Sequence, residues 1–414
     1  MRSPRSLLRP AALLGALVLA VTLSAAPGAT ASAATHGHPA AAAVSYAPAA
    51  CGTAHHARQA QCYAMVATNA QHRPAVSPAD PPTGALGPAD IQSAYNLPAG
   101  TAGSGETVAI VDAFGDSTAE SDLAAFRSYY GMPACGTAIG CFRKVDQTGG
   151  TDYPPDSPGT GWALETSLDL DAVSAACPNC SMLLVEANTN AIPDLGAAVD
   201  EAVSLGAKFV SNSYGVLGED ASEQSFDPYY DHPGVAVAAA TGDYGEITSY
   251  PAASPDVISV GGTTLTRDSS VSRGWDEAAW SGGGSGCSLY EPQPTYQQDV
   301  STGCGNRAES DLSADADPNS GLAVYDTLGE GGWMQVGGTS LASPLITAMY
   351  ALAGTPTPGT NPASYPYLDT HKPADLNDIT QGSNGSCGTV LCTAGAGWDG
   401  PTGWGSRPWW TCPS

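Results

Sequence analysis

From residue 107 onward, short apolar runs alternate with longer stretches that repeat at helical spacing. The runs at 107–111, 181–186, 209–213, 235–240 and 257–260 have strand length and are rich in Val, Ile, Leu and Ala. Between them, 117–130, 162–176 and 191–205 carry the period of helices. Strand and helix in alternation predict an α/β fold, a doubly wound, mostly parallel sheet with helices on both faces. Later, strands at 322–325 and 333–336 precede a helix that opens at Ser340, and no internal repeat is visible. The stretch before this pattern reads differently. Residues 35–85 are rich in Ala, Pro and polar side chains without sustained periodicity, and hold five of the seven histidines, His36, His38, His55, His56 and His72. That predicts a short leader over 35–87, with domain-like sequence from the PADI at 88–91 to residue 414. Residues 1–34 begin with Arg2, Arg5 and Arg9, continue through an apolar run and reach ATASA at 29–33, the pattern of a cleaved signal peptide.

Export changes how the rest is read. Eleven cysteines in an oxidising compartment are expected to pair, and they fall into near neighbours: Cys51 with Cys62, Cys135 with Cys141, Cys177 with Cys180, Cys287 with Cys304, Cys387 with Cys392, leaving Cys412. The CPNC at 177–180 also has the spacing of a redox or zinc site, although no second Cys or His pair accompanies it. Fourteen Lys and Arg against forty Asp and Glu give a formal net charge of −26, which repels phosphate backbones and anionic lipid, so no nucleic acid partner is expected. No later stretch is apolar for the roughly 18 residues a membrane span needs, and a released, monomeric, secreted protein is expected after signal cleavage.

The chemistry begins at VGGTSLASP, 336–344, where glycines free the backbone to turn and Ser340 stands at the start of an apolar helix. Unpaired amides and the helix dipole there favour negative charge developing beside the hydroxyl, although a plain serine cap has the same look. A nucleophilic serine needs a base. Asp112, closing VAIVD at 108–112, sits where the aspartate of a Ser-His-Asp site would follow the first strand, but beyond the leader only His232 and His371 remain and neither lies in a Gly/Ser-rich segment. GWALETSLD, 161–169, offers carboxylates instead. Glu165 and Asp169 are four apart, on one helix face, while Asp171 points away. Two such carboxyls repel, which raises one pKa and lets the pair share a proton. A solvated acidic helix face is the bland alternative.

In this company of motifs the chain resembles the sedolisin family, the serine-carboxyl peptidases, which have a subtilisin-like fold with a carboxylate in place of histidine. GWALETSLD, LLVEA at 183–187, SNSYG at 211–215, TGDYG at 241–245, SADADP at 313–318 and VGGTSLASP follow in the order and spacing of that family, over about residues 88–410. The resemblance implies Ser340 as nucleophile, Glu165 as base, Asp169 as its orienting carboxylate and Asp243 lining the oxyanion hole. It also implies that DITQG at 378–382 and AGAGWD at 394–399 hold one structural calcium ion, through the carboxylates of Asp378 and Asp399 and the carbonyls of Ile379, Gly395 and Gly397. Hard oxygens suit that ion. The expected function is a secreted endopeptidase that cuts protein and peptide substrates in acid, because a glutamate base starts near pKa 4.3 where histidine starts near 6.5. A tripeptidyl-peptidase-type exopeptidase and a catalytically silent binding protein on the same scaffold are the alternatives. One departure stands out: the leader is short, where family members commonly carry a long folded propeptide.

Overall fold

The computed structural model describes residues 45–49, 51, 58–69, 71–98, 100–369 and 375–406. Its centre is a sheet whose strands are β1 (Thr107–Ala113), β2 (Phe142–Asp146), β3 (Ser181–Ala187), β4 (Phe209–Asn212), β5 (Ala236–Ala240), β6 (Ile258–Arg267), β7 (Trp275–Ala279) and β8 (Leu312–Asp315). The order across the sheet is β2-β3-β1-β4-β5-β6, all parallel. β8 pairs with β6 in parallel and β7 pairs with it antiparallel. The middle strands are buried almost without interruption, the mark of a sheet covered on both faces. The fold is thus the α/β, doubly wound, mostly parallel arrangement that the alternation predicts.

Helices α1 (Pro88–Ala94), α2 (Ala119–Tyr129), α3 (Trp162–Ala176), α4 (Ile192–Ser204) and α5 (Thr339–Ala353) clothe this sheet. α3 and α5 pack on each other and on the sheet, while α4 lies against β1, β3 and β4. Every residue of α3 is buried, which explains why its sequence shows almost no polar face to read. α4 has such a face and keeps it toward solvent. Two sheet strands carry no clear apolar signal in the sequence. β2 reads FRKVD, an edge strand with a charged outer side. β8 lies inside the SADADP block, where buried acids mask a strand. All five neighbouring cysteine pairs form disulfides, Cys177–Cys180 included, which leaves no free thiolates there for zinc. Cys412 lies outside the described residues. No described helix is long and apolar enough to cross a membrane.

An unusual share of the acid is inside. Asp112 and Asp116 are buried and each is pushed up to about 7, by loss of water first. Asp171 and Asp315 are also buried, and burial holds both well above the ordinary carboxylate range. Such a group favours the fold while it is neutral. Its contribution is complete below the unfolded value of about 4 and is lost as pH climbs through the folded value, at about 1.4 kcal/mol per pKa unit. Thermal melts should therefore show a falling melting temperature between about pH 5 and about pH 8. A flat or rising profile over that window would contradict the neutral state assigned to these carboxyls.

Candidate active site

Ser340 owes its position to three neighbours in sequence. Gly338, the residue before α5, has φ 95°, and a Cβ there would fall 1.8 Å from Tyr63 O and 2.6 Å from Asp243 Oδ2, so only glycine fits. Its amide donates to Ala316 O at 2.5 Å, so the SADADP block buttresses the turn. Thr339 N–H and its hydroxyl donate to Asp243 Oδ1 at 2.7 and 2.9 Å, binding the helix start to the TGDYG loop. Four residues on, Pro344 has no N–H to give the Ser340 carbonyl, and the Ser213 hydroxyl stands 3.2 Å from that oxygen instead. The Ser340 hydroxyl itself donates to Ser213 O at 3.0 Å and accepts from Tyr63 N–H at 3.0 Å.

Glu165 and Asp169 lie one turn apart on α3, both without solvent exposure. Ser213 donates its hydroxyl to Asp169 Oδ1 at 2.7 Å, so the same residue touches the serine's backbone and the second carboxyl. Burial pushes Glu165 well above its usual value, the negative charge of Asp112 adds to this, and the Ser340 hydroxyl offsets part of it. Asp169 is raised in the same way, by burial and then by the charges of Asp112 and Glu165. Asp112 therefore belongs to the site, as a third carboxyl beside the pair, although the missing histidine had removed the reason to look at it. Asp171 faces the other way and accepts from Tyr325 N–H at 3.1 Å.

Asp243 follows β5 in a loop leaving the carboxyl end of the sheet, the edge where open α/β sheets gather their ligands. Burial raises its carboxyl to about 8, against the pull of the two Thr339 hydrogen bonds. It is neutral over the whole acid range, and Oδ2 is buried without a partner among the described residues. A proton on Oδ2 is a hydrogen-bond donor waiting beside Gly338.

A segment the sequence left in the leader runs through this site. Gln61–Cys62 pairs antiparallel with Tyr214–Leu217, Cys62 opposite Tyr214 and Gln61 opposite Gly215. On its other side Ala60 N–H donates to Asn190 O at 2.8 Å and Ile192 N–H donates to Arg58 O at 2.9 Å. Ala64 N–H donates to Glu165 Oε2 at 3.1 Å. Met65–Thr68 then joins a second sheet between Ser45–Pro48 and Gly332–Gly337, the strand that leads into Ser340. The apolar run CYAMVAT at 62–68, inside an otherwise polar and Ala-rich stretch, was the available signal.

The C-terminal loops also come together. Gly397 N–H donates to Asp378 Oδ2 and Gly395 N–H donates to Asp399 Oδ2, both at 2.9 Å, while Thr402 N–H and its hydroxyl hold Asp399 Oδ1. Asp399 feels the charge of Asp378, and among the described residues no backbone amide donates to the carbonyls of Ile379, Gly395 or Gly397. Two carboxylates and three free carbonyls form a hard-oxygen set that fits a calcium ion. His232 lies elsewhere, with Nε2 3.0 Å from Tyr229 O and 3.2 Å from Asp200. His371 lies outside the described residues.

The sequence profile of the Subtilase family matches residues 148–405. Sedolisin of Pseudomonas sp. (strain 101) is 30% identical over 356 residues, 77% of this chain and 59% of sedolisin. Tripeptidyl-peptidase 1 of Bos taurus is 28% identical over 378 residues, 77% of this chain and 62% of that protein. The chain thus spans about three-fifths of the length of these relatives. The solved structure of Pseudomonas sedolisin, a serine-carboxyl proteinase complexed with two molecules of pseudo-iodotyrostatin, superposes with a TM-score of 0.67 at 28% identity, covering 78% of this chain and 95% of that one. The chain belongs to the subtilase family, and within it is similar to the sedolisins, the relation its motifs imply.

Proposed function

We propose that this protein is a secreted, monomeric serine-carboxyl endopeptidase that hydrolyses peptide bonds of protein and peptide substrates in acid. The observation that carries the reading is the convergence of Ser340, Glu165, Asp169 and Asp243 in a buried site where, among the described residues, no histidine hydrogen-bonds to them. The Ser340 hydroxyl attacks the substrate carbonyl and passes its proton to Glu165, whose basicity Asp169 sustains by taking up proton and charge within the pair. Negative charge growing on the carbonyl oxygen meets the neutral carboxyl of Asp243 and the positive end of the α5 dipole. Glu165 returns the proton to the leaving amine, and water then resolves the acyl-enzyme by the reverse sequence. Above the Asp243 value of about 8 its ionised form opposes the oxyanion, which sets an upper bound on the alkaline limb.

The relation to a tripeptidyl peptidase supports an exopeptidase reading. Against it, the segment 58–64 crosses the site with Gln61–Cys62 paired as a strand and further backbone bonds at Ala60 and Arg58 on the amino side. Room for chain on that side supports endopeptidase action.

Ser340→Ala should abolish turnover and labelling by a fluorophosphonate while circular dichroism stays unchanged. Glu165→Gln and Asp169→Asn should each lower kcat by about 10² to 10⁴. An equal loss in Asp171→Asn would reassign the pair. Asp243→Asn keeps a donor at every pH, so its alkaline limb should move upward even as the maximum falls; an unmoved limb removes Asp243 from the oxyanion hole. For the C-terminal loops, one bound calcium stabilises the fold by mass action, about 2.7 kcal/mol at a hundred times Kd. Chelation should lower the melting temperature, added calcium should restore it, and Asp378→Ala should respond to neither. Equal response in that variant would retire the site.

A further inference from the structure

The strand through the site has a direction, and that direction sets one particular bond over Ser340. Tyr63 N–H donates to Ser340 Oγ at 3.0 Å and to Ser213 O at 3.3 Å. Ala64 N–H, in the next peptide unit, donates to Glu165 Oε2 at 3.1 Å. Between them the Tyr63 carbonyl oxygen occupies the space over Gly338, where one point is 1.8 Å from it, 3.0 Å from the Tyr63 carbonyl carbon and 2.6 Å from Asp243 Oδ2. The carbonyl thus has the hydroxyl beside it, the proposed base on its amide nitrogen, and the unpartnered acid oxygen next to its own. The sulfurs of Cys51 and Cys62 and an oxygen of Glu165 all lie within 4.8 Å of one another, so the disulfide lies beside the proposed base.

The Tyr63 side chain is buried, with its hydroxyl hydrogen-bonded to Ser249 Oγ. Gly215 makes the room: a Cβ there would lie 2.7 Å from the Tyr63 hydroxyl oxygen and 2.2 Å from Ser249 Oγ. Ser249 is fixed in turn by its own amide, which donates to Glu309 Oε1 at 3.2 Å. The slot is built to the length of a tyrosine and closes on a polar end.

We propose that Tyr63–Ala64 is the peptide bond this chain cuts in itself, with the Tyr63 ring in its slot as the recognition element. This rests on the Ser340, Glu165 and Asp243 assignments above. The Ser340 oxygen bonds to the Tyr63 carbonyl carbon, and its proton passes through Glu165 to Ala64 N. The Tyr63–Ala64 C–N bond breaks and Ala64 leaves as a free amine. One water then adds to the acyl carbon, frees Tyr63 as a carboxylic acid and returns the proton to Ser340. The cut does not by itself empty the cleft. Ser45–Pro48 remains paired with Met65–Thr68 across the break, and Cys51 stays joined to Cys62, so the fragment ending at Tyr63 stays as a bound product until it dissociates.

The test uses the full precursor chain, purified near neutral pH, shifted to about pH 4 and followed by intact mass under denaturing conditions. The expected products are a fragment ending at Tyr63 and a chain beginning at Ala64, with Ser340→Ala uncut under the same conditions. Tyr63→Asp, checked for folding by circular dichroism, should be cut at least about a hundredfold more slowly, because the slot would take a carboxylate without a cationic partner. Ala64→Pro, which removes the N–H donated to Glu165 and leaves the slot filled, should also be resistant. An enzyme that digests casein in acid and leaves the 63–64 bond intact, or a Ser340→Ala chain cut there at the wild-type rate, overturns the inference. Casein digestion that persists in Ser340→Ala overturns the nucleophile assignment instead, so the two failures are told apart.

Discussion

Glu165 and Asp169 repel each other one turn apart on a helix buried along its whole length, and the rest of the site is arranged around that repulsion. Two adjacent carboxyls in a dry setting cannot both be ionised, and Asp112 at the end of the first strand adds a third. The cluster must keep protons that free carboxylates would have lost. Histidine brings a proton site that works near neutrality without assistance. Carboxyls reach comparable chemistry only when burial and mutual repulsion hold them partly protonated. This is why the chain spends so much acid in its interior, and why the helix that carries the pair shows no polar face.

The second requirement is that Ser340, on a different helix, is held beside this pair. Ser213 supplies the link, with its carbonyl on the Ser340 hydroxyl and its own hydroxyl between Asp169 and the Ser340 carbonyl. That last contact exists because Pro344 leaves a carbonyl free in the first turn of α5. A proline inside an apolar helix looks like a flaw in the pattern. Here it opens a place for the residue that joins the two helices.

The order of strands and helices was legible because the core strands are continuous apolar runs, and Glu165, Asp169 and Ser340 were legible because their spacing has a geometric meaning. Phe142–Asp146 was hidden by its charged outer face, and Leu312–Asp315 by buried acids whose partners, such as Ser320 on Asp315, are invisible in one dimension. Asp112 was set aside for want of a histidine, since nothing in a linear sequence says that it lies beside Glu165. The largest omission was the leader. Composition marked 35–85 as lacking a core of its own, which left no reason to ask whether part of it borrows one. Residues 60–68 are buried because the catalytic domain supplies the surface that covers them.

That borrowed burial ties the leader to the acid chemistry. While Tyr63 and Ala64 fill the cleft, they exclude water from Glu165 and Asp243, and loss of water is the largest cause holding both carboxyls above their usual range. A segment that leaves the cleft lets solvent return, the desolvation penalty shrinks, and both groups move down toward ordinary carboxylate values. In the role proposed for it Asp243 must stay neutral to donate to an oxyanion, so a solvated cleft would keep that proton only in more acid solution, whereas a cleft refilled by substrate would dry the site and raise the carboxyls again. Occupancy and protonation are therefore coupled under that proposal: a chain bound in the cleft helps to hold neutral the acid that its own transition state would require.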